Sequence, residues 1–531
     1  MRTARNQAQP QWQSSPATTD AHGEALLRGD DPGPLPDRMV LVAADGHVVP
    51  DDRIAAARPG MRPLQRLQLL CDEGSLQVIR SAAISEQMGD KAREGDGVVG
   101  ATARVGGRPV ACFAQDASFA GGSLGAAHAD TILRVQRFAQ KAAVPVIGFV
   151  ESGGARMQEG LAGLDGYGRI FAQHVNLSGR VPQISVITGT SAGGGSYSPA
   201  LTDFVIMTEA ASMFLTGPAV VREVTGQHAS ASELGGPRVH ERNGVSQFVV
   251  GSDVDAIFLV RKLLGYLPQN AWAPPPRAIA TDPHGPDPGG VVPIDPRHPY
   301  DIRDAMAGIV DGDSILEVAP RWAPNVVTAF ARIEGRPVGV VANQPRHLGG
   351  VLDADASQKG GRFVRTCNAF GIPIVVLVDT PGFLPGTEQE AVGVIRHGAK
   401  LLHAFAEATV PRYTVVLRKA FGGAYITMNS KDLGADANFA WSRAQLGIMG
   451  AHQAVGIVNR REIQDAKDPA AARERLADQY AARHLDARAA ARGGHVDEVI
   501  LPGETRSRLA WALSVATNDH RGRGHVRNIP L

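Results

Sequence analysis

A glycine-rich stretch, SAGGGSYSP, occupies residues 191–199. Its serines, Ser191 and Ser196, are of a type that can act as nucleophiles, and its glycines can aim backbone N–H groups at an anion. A nucleophile elbow of the GxSxG type is not formed, because Ser191 lies between Thr190 and Ala192. The stretch by itself leaves three chemistries open: a nucleophile, a phosphate cradle and an oxyanion site.

The same pattern occurs twice in the chain. GGRPVACFAQD at 106 recurs as EGRPVGVVANQ at 334, and VPVIGFVESGG at 144 recurs as IPIVVLVDTPG at 372, 228 residues later in both cases. VPQISVI at 181 recurs as VPRYTVV at 410, 229 residues later. Landmarks that keep register over this distance predict two homologous domains of ordinary size.

The hydroxyl groups of Ser191 and Ser196 have no serine at the matching positions of the second copy. At the positions of Ser191 and Ser196, the second copy carries Ala420 and Tyr425. A serine nucleophile is therefore not the shared feature. A close-packed turn without a function of its own is the alternative explanation.

What the two copies share is a glycine pair, Gly193-Gly194 in the first and Gly422-Gly423 in the second. Each pair is matched with another glycine loop, ESGGARMQEG at 151–160 and DTPGFLPGTEQE at 379–390. The repeat favours backbone N–H groups as the working part, with one oxyanion site in each half. Two such sites fit the transfer of a group between two carbonyl compounds.

Strands and helices alternate around these loops. The apolar runs 144–150 and 372–378 are typical of strands that are buried on both faces. A helical pattern precedes each of them, over 129–142 and 358–370. This order predicts an α/β fold with parallel strands.

The domain organisation follows from composition. Residues 1–55 are polar and aperiodic, and we expect a disordered N-terminal tail. A linker rich in Pro and Gly is predicted over 273–299. The two domains are then expected over 56–272 and 300–531.

Composition also excludes several classes of protein. The formal net charge of +1 offers no argument for nucleic acid or for an anionic membrane surface. No apolar run is long enough to span a membrane and no secretory signal is present, so a cytoplasmic protein is expected. The three cysteines lie far apart, and no metal-binding spacing occurs, so no metal is expected.

Two short motifs resemble nucleotide-binding signatures. GDGVVG at 95–100 matches GxGxxG, but a strand pattern follows it where a dinucleotide site needs a helix, so a turn is predicted. DTPG at 379–382 resembles a switch motif of nucleotide hydrolases, but the chain has no GxxxxGK[ST] phosphate loop.

Longer motifs resemble one family. SGGARMQEG, VPQISVITGTSAGGGSYSPALTDFVIM, RFVRTCNAFGIPIVVLVDTPGFLPGTEQE and RKAFGGAYITMNSKDLGAD are similar to the carboxyltransferase (β) subunits of biotin-dependent acyl-CoA carboxylases, in the crotonase superfamily. The resemblance covers roughly 60–531. It implies two tandem crotonase-like ββα-superhelix domains and an enzyme that moves a carboxyl group from N-carboxybiotin to a short acyl-CoA, of the acetyl or propionyl class, through an enolate.

The resemblance also implies site residues. The catalytic oxyanion donors would be Gly193, Gly194, Gly423 and Ala424. The acyl-CoA site would include Gly153, Gly154, Ala155, Arg156, Gln158 and Ile426. The biotin site would include Gly382 and Phe383 together with Gly423 and Ala424.

The family further implies partners. Biotin would arrive on a partner protein, because the chain has no Met-Lys-Met attachment motif and no room for an ATP-grasp domain. A biotin carboxylase and biotin carrier (α) subunit, and a hexamer built as a trimer of dimers, are therefore expected. Ile426 replaces the aspartate typical of propionyl-preferring members, which favours acetyl or broad use.

Several positions depart from the family pattern, and other functions remain open. Ala126 replaces an acidic residue, His452 and Gln453 replace a small or charged residue followed by glycine, and of the usual basic N-terminal pattern Arg66 persists. The alternatives are a decarboxylase or transcarboxylase subunit of the same family, a specialised paralogue that uses an unusual acyl-CoA, a non-catalytic scaffold, and a crotonase-type hydratase or hydrolase.

Overall fold

The chain is described by a computed structural model over residues 60–516 and 526–529. The predicted tail, 1–55, lies outside the described residues. Sixteen strands in these residues form two eight-stranded sheets, one from each half of the chain.

The first sheet has the strand order β1-β2-β3-β4-β5-β6-β8, with β7 paired to β5. The pairs β1–β2 and β2–β3 are antiparallel and the remaining pairs are parallel. The strands are β1 Gln77–Ile79, β2 Val98–Val105, β3 Arg108–Gln115, β4 Val146–Ser152, β5 Gln183–Ala192, β6 Phe204–Thr208, β7 Ser212–Phe214 and β8 Phe248–Val250.

The second sheet repeats this topology as β9-β10-β11-β12-β13-β14-β16, with β15 paired to β13. Its strands are β9 Leu316–Val318, β10 Val326–Ile333, β11 Arg336–Asn343, β12 Ile374–Thr380, β13 Arg412–Phe421, β14 Ala437–Trp441, β15 Gln445–Gly447 and β16 Glu498–Ile500. Even the irregularity is repeated, because pairing shifts register between Val150 and Ser152 and again between Val378 and Thr380. The predicted internal duplication and the tandem α/β fold are confirmed.

Helices cover the sheets and connect their parallel strands. The helices are Pro63–Leu70, Ala126–Ala142, Leu161–Leu177, Gly194–Ala200, Pro218–Thr225, Ala231–Gly235, Pro237–His240, Asp253–Leu264, Pro288–Val291, Ile302–Ala307, Ala354–Ala369, Thr387–Ala391, Val394–Glu407, Gly422–Thr427, Ala451–Val458, Arg460–Gln464, Pro469–Tyr480, Ala487–Arg492 and Thr505–Val515. The two long helices predicted before β4 and β12 are confirmed.

The predicted helix starts were three to four residues late. The structure begins these helices at Ala126 and Ala354, where sequence placed them at 129 and 358. The missed residues form the first turn of each helix. The N–H groups of a first turn have no acceptor inside the helix, and here they are bonded by groups that lie outside the apolar pattern. In the second helix this cap is Asp353, whose carboxylate accepts from the N–H of Ala356 at 2.8 Å.

The turn predicted at 95–100 is confirmed. Gly95 and Gly97 both have φ of +79°, and β2 begins at Val98, so a strand and not a helix follows the glycines. The predicted linker, 273–299, contains one helical turn, Pro288–Val291, and no strand. The domain boundaries at 56, 272 and 300 stay predictions.

The two halves share one hydrophobic core. Phe330 of the second sheet lies at 6.0 Å, between ring centroids, from Phe204 of the first sheet. It also stacks on Tyr266 at 5.8 Å. All three rings are buried, and this shared core joins the backs of the two sheets.

Candidate active site: two glycine turns at strand ends

The first glycine turn follows β5. Gly193 has φ +56° and ψ −123°, a conformation in which a side chain would be strained, and helix Gly194–Ala200 begins at the next residue. The N–H of Gly193 donates to the carbonyl of Phe214 at 3.1 Å. This amide is bonded within the protein, so a role as donor to substrate would require that bond to break.

The side chains of Ser191 and Ser196 hold the turn in place. The fully buried Ser191 hydroxyl donates to the Gly195 carbonyl at 2.8 Å. The Ser196 hydroxyl lies 2.8 Å from the Ser191 carbonyl and 2.7 Å from the Phe214 carbonyl, either of which can accept its proton. Both hydroxyl groups therefore serve the backbone.

Gly194 and Gly195 occupy the first turn of the helix, where amides have no acceptor inside the helix. An added Cβ at Gly194 would lie 2.6 Å from the ring of Tyr167. At Gly195 it would lie 2.9 Å from Ser191 Oγ and 3.0 Å from Ser152 Cβ. Both positions therefore require glycine for packing.

The glycine loop of the first half, residues 151–160, lies beside this turn, at the end of β4. The N–H of Gly153 donates to the Gly121 carbonyl at 2.9 Å, and the N–H of Gly154 donates to Ser152 Oγ at 3.2 Å. Ala155 is partly buried in this loop. The predicted acyl-CoA residues Gly153, Gly154 and Ala155 thus lie at the same edge of the sheet as Gly194.

Arg156 does not present its side chain at the surface. Its guanidinium has no exposed area and pairs with Asp96 at 2.6 Å and with Glu159 at 2.8 Å. The two carboxylates are equally buried. The charge of Arg156 is thus neutralised inside the protein by two carboxylates, and its assignment to the acyl-CoA site stays a prediction.

Glu159 also bonds the first turn of the helix that begins at Ala126. Its Oε2 accepts the N–H of Ala126 at 2.7 Å, at the start of the helix. Burial by itself raises the pKa of Glu159, but hydrogen bonds from Ala126, Ser85 and Arg156 outweigh it and lower the pKa. The carboxylate therefore stays ionised where a helix N-terminus favours negative charge.

Gln158 is exposed, in contrast to Arg156. It lies in a short helical turn, Met157–Glu159, next to Met157, whose side chain is 84% exposed. Other large apolar side chains near the first turn are also exposed, namely Leu161, Leu164, Tyr197 and Leu215. These exposed apolar side chains are more numerous than the single, scattered ones that are normal on a protein surface.

The second glycine turn repeats the first at the end of β13. Gly422 has φ +60°, and Gly423 and the fully buried Ala424 follow it in the first turn of helix Gly422–Thr427. The ring of Phe383 lies over this turn, 3.7 Å from where a Cβ on Gly423 would stand. The structure thus brings Phe383, Gly423 and Ala424 together, as the predicted biotin site requires.

Gly382 repeats the loop geometry of Gly154. It has φ +141°, and its N–H donates to Thr380 Oγ1 at 3.3 Å, as the N–H of Gly154 donates to Ser152. The two loops therefore share backbone and side-chain support. Their equivalence follows from the duplicated topology.

Ile426 lies on the exposed face of helix Gly422–Thr427. Its side chain is 48% exposed, whereas Ala424 and Thr427 on either side of it are buried. A role as a core residue alone is excluded. The side chain is available to a ligand or to a partner.

An ion pair lies at the strand end next to each of the two glycine loops. Arg66 bonds Glu151 and Asp253, each at 2.8 Å, and Arg418 bonds Asp379 at 2.9 Å. Glu151 and Asp379 are equivalent positions, at the ends of β4 and β12. Burial raises the pKa of Asp379, and Arg418 opposes that rise.

The other departures from the family pattern lie on the surface. His452 and Gln453 are exposed on helix Ala451–Val458, and His452 Nε2 lies 3.7 Å from a carboxylate oxygen of Glu474. Neither side chain contacts the glycine turns through a recorded hydrogen bond or ion pair among the described residues.

Reasoning from the repeat missed residues whose type is not repeated in the second half. Tyr167, Gly195 and Glu159 are of this kind: each contacts or belongs to the first site, and none has a residue of the same type at its equivalent position. A signal for Gly195 was present, since the first stretch has three glycines where the second has two.

Within residues 60–516 and 526–529, no group of three or more His, Cys, Asp or Glu side chains is arranged to hold a metal ion. No helix in the same part of the chain has the length and apolar character needed to cross a bilayer.

Comparison with known proteins identifies the family. Residues 59–528 match the family model described as carboxyl transferase domain. The biotin-dependent acetyl-/propionyl-coenzyme A carboxylase beta5 subunit of Mycobacterium tuberculosis is 44% identical over 489 residues, 88% of this chain and 89% of that protein. The methylmalonyl-CoA carboxyltransferase 12S subunit of Propionibacterium freudenreichii subsp. shermanii is 47% identical, over 79% of this chain and 81% of that protein.

Solved structures agree with the sequence relatives. The transcarboxylase 12S crystal structure with methylmalonyl-coenzyme A and methylmalonic acid bound superposes with a TM-score of 0.84 at 43% identity, covering 90% of this chain and 94% of that chain. Fold, internal duplication and sequence therefore lead to one conclusion: this chain belongs to the carboxyl transferase domain family, with the tandem crotonase-like fold.

Proposed function

We propose that this chain is the carboxyltransferase subunit of a biotin-dependent acyl-CoA carboxylase. The reaction moves the carboxyl group of N-carboxybiotin to the α-carbon of a short acyl-CoA of the acetyl or propionyl class. The observation that supports it most is the pair of equivalent glycine turns, Gly193–Gly195 and Gly422–Ala424, in a chain 44% identical to a biotin-dependent carboxylase subunit.

On the acyl side, we assign the oxyanion donors to Gly194 and Gly195. The N–H of Gly193 is bonded to Phe214, whereas the next two amides lie where a helix leaves its N–H groups unbonded. A thioester oxygen that becomes an enolate oxygen gains negative charge at these donors. Each oxyanion donor is worth roughly 2.7–4 kcal/mol of barrier in other enzymes.

On the other side, Gly423 and Ala424 occupy the positions equivalent to Gly194 and Gly195 and likewise lie in the first turn of a helix. These donors fit the ureido oxygen of biotin, and the partly buried Phe383 ring provides an apolar wall for its rings. When bound, N-carboxybiotin supplies the carboxyl group and, after its loss, a ureido nitrogen that can accept the α-proton. The chain itself holds the two oxygens and excludes water.

Arg156 and Ile426 take different roles in this proposal. Arg156 supports the acyl loop from inside through Asp96 and Glu159 rather than by contact with CoA. Ile426 offers an apolar surface to the acyl chain, which favours acetyl-CoA or broad use.

The proposal extends to organisation and partners. The acyl-CoA domain would span 56–272 and the carboxybiotin domain 300–531. Biotin would be carried by an α subunit that also contains biotin carboxylase. The transcarboxylase 12S structure is described as a hexamer assembly, and a hexamer of three dimers in the cytoplasm is the arrangement we propose here.

A second candidate has support among the relatives. The methylmalonyl-CoA decarboxylase subunit alpha of Veillonella parvula is 43% identical over 90% of this chain. The same two oxyanion sites stabilise charge in either direction. A decarboxylase or transcarboxylase subunit, or a paralogue for an unusual acyl-CoA, is therefore the alternative.

One assay tests the function and separates the alternatives. The purified chain is combined with a biotin carboxylase, a biotinylated carrier, ATP and ¹⁴C-bicarbonate, and label in acid-stable product is measured over a panel of acyl-CoAs. Label with acetyl-CoA or propionyl-CoA supports the proposal, and no label with any acyl-CoA contradicts it. Transfer from methylmalonyl-CoA to carrier in the absence of any forward product supports the decarboxylase or transcarboxylase role.

A further inference from the structure

Tyr167 contacts both glycine segments of the first site. It lies in helix Leu161–Leu177 and is 4% exposed. The face of its ring lies directly beneath Gly194, since a Cβ at Gly194 would be 2.6 Å from both Cγ and Cδ2. Its hydroxyl lies 2.8 Å from Ser152 Oγ, at the start of the glycine loop of the first half.

The hydrogen bond to Ser152 continues into the loop backbone. Ser152 Oγ accepts the N–H of Gly154 at 3.2 Å while it bonds the Tyr167 hydroxyl. Ser152 is 1% exposed, so water does not compete for these bonds. Gly154, Ser152, Tyr167 and Gly194 thus form one continuous contact path across the site.

The second half supports its glycine turn in another way. There the ring beside Gly423 belongs to Phe383, which has no hydroxyl and comes from the glycine loop itself. Phe383 lies between Gly423 and Gly398, the latter on helix Val394–Glu407. A phenol that packs under the glycine turn from a neighbouring helix and bonds the glycine loop is therefore a feature of the acyl side.

The Tyr167 phenol is not a base. Burial raises its pKa to about 12, against the lowering effect of the Ser152 bond, so the hydroxyl stays protonated at neutral pH. The role of Tyr167 must therefore come from the position in which it holds the backbone at Gly194 and at Ser152.

We propose that Tyr167 is a positioning residue that sets the height of the Gly194 amide above the 153–155 loop. This inference rests on the proposed function, because it assigns to Tyr167 the geometry of the acyl oxyanion site. The ring fixes Gly194 from below and the hydroxyl fixes the loop beside it. Loss of the hydroxyl frees the two segments to move relative to each other, and a small misplacement of an oxyanion donor lowers kcat.

The test compares Tyr167→Phe, Ser152→Ala and the double variant with a matched control, Tyr413→Phe. The Tyr413 hydroxyl is also buried and bonds a backbone carbonyl, that of Ala512 at 2.9 Å, away from both glycine turns. We expect kcat to fall about ten-fold in each single variant with KM for acyl-CoA changed less than about two-fold. The double variant should lose no more than Ser152→Ala alone, because that change already removes the bond to the Tyr167 hydroxyl along with the bond from the Gly154 N–H.

A second readout does not depend on turnover. Amide hydrogen exchange in the segments 152–156 and 191–196 should be faster in Tyr167→Phe than in Tyr413→Phe. Equal exchange, or a kcat no lower than that of the control, overturns the inference. If Tyr167→Phe does not fold, Ser152→Ala gives the same two readouts.

Failure of the proposed function looks different. In that case the unmodified chain gives no labelled product with any acyl-CoA, while hydrogen exchange still decides whether Tyr167 fixes the two glycine segments. A change in KM alone, with kcat unchanged, also contradicts a positioning role.

Discussion

The N–H of Gly193 donates to the carbonyl of Phe214 across 3.1 Å, which ties the first glycine turn to β7. Gly193, whose N–H makes this bond, is also the residue of the turn that has a φ of +56°. The free donors are thereby shifted to Gly194 and Gly195. Gly194 and Gly195 are the positions equivalent to Gly423 and Ala424, so the proposed donors of the two halves lie at equivalent positions.

Gly194→Ala should abolish most activity and lower stability. The added carbon would lie 2.6 Å from the Tyr167 ring, so the turn must move, at a cost of about 1–3 kcal/mol. A displaced amide should lower kcat by about 100-fold. Gly423→Ala is the stability control, because its added carbon meets Phe383 at an ordinary 3.7 Å. Equal melting temperatures for the two variants would contradict this packing.

Arg156→Met should destabilise the first half strongly. It leaves Asp96 and Glu159 buried without their cation, and breaking a buried pair costs about 3–5 kcal/mol. The matched control is Arg169→Met, whose ion pair with Asp130 is exposed and is worth at most about 1 kcal/mol. Urea unfolding measures both. A shift no larger than that of the control would show that Arg156 is not structural.

His174 should make stability depend on pH. Burial lowers its pKa to about 4, and its ring nitrogens are bonded to Gln183 at 2.7 Å and to Gln136 at 3.1 Å. The unfolded chain takes up a proton near pH 6.5 and the folded chain does not. The free energy of unfolding should therefore fall by about 1.4 kcal/mol for each unit that pH drops from 6.5 toward 4.

His174→Gln tests that slope. It should be shallower in this variant, by about one proton, in melts followed from pH 7.5 to 4.5. His403→Gln is the control, since that side chain is 69% exposed. An unchanged slope in His174→Gln would mean that other groups carry the dependence.

Ile426→Asp should change acyl preference. An aspartate at this half-exposed position, in the second turn's helix, should raise the ratio of kcat/KM for propionyl-CoA over acetyl-CoA by up to about ten-fold. Ile279→Asp, in the predicted linker and 55% exposed, is the control. If both variants keep the original ratio, Ile426 does not contact the acyl group.

Asn528→Ala should weaken the contact between the halves. The buried Asn528 amide donates to Asp203 of the first half at 3.0 Å and to Thr366 of the second at 2.9 Å. Burial raises the pKa of Asp203, so loss of a donor is costly, about 1–3 kcal/mol. Arg527→Ala is the control, because that side chain is exposed. A melting temperature equal to that of the control would show that the bridge contributes nothing.

The repeat in the sequence was the most informative feature for the fold. Offsets of 228 and 229 residues predicted two equivalent sheets, and the bounds of β2 to β5 reappear in β10 to β13 at those offsets, together with the shared register shift. The other four strands of the second sheet follow at larger offsets. Helix starts were placed late because the caps at Ala126 and Ala354 come from residues outside the apolar pattern. Periodicity reports the buried face of a helix and not the groups that bond its first amides.

The site was predicted less completely than the fold. The sequence pointed to backbone amides rather than serines, and it assigned Phe383 and Gly423 to one site, two residues that the structure brings together. It assigned Arg156 to the acyl-CoA site but gave no sign that its charge is buried against Asp96 and Glu159. A sequence motif records which residue is present but not which way its side chain faces.

The sequence by itself determined the family, the duplication and the two glycine turns, because glycine spacing and apolar runs are local properties of the chain. Only the tertiary structure decided which amides are free. Phe214 uses the N–H of Gly193, and Tyr167 supports Gly194 from a different helix. Both contacts join segments that are distant in the chain, so their geometry depends on how the strands and helices pack and not on local sequence.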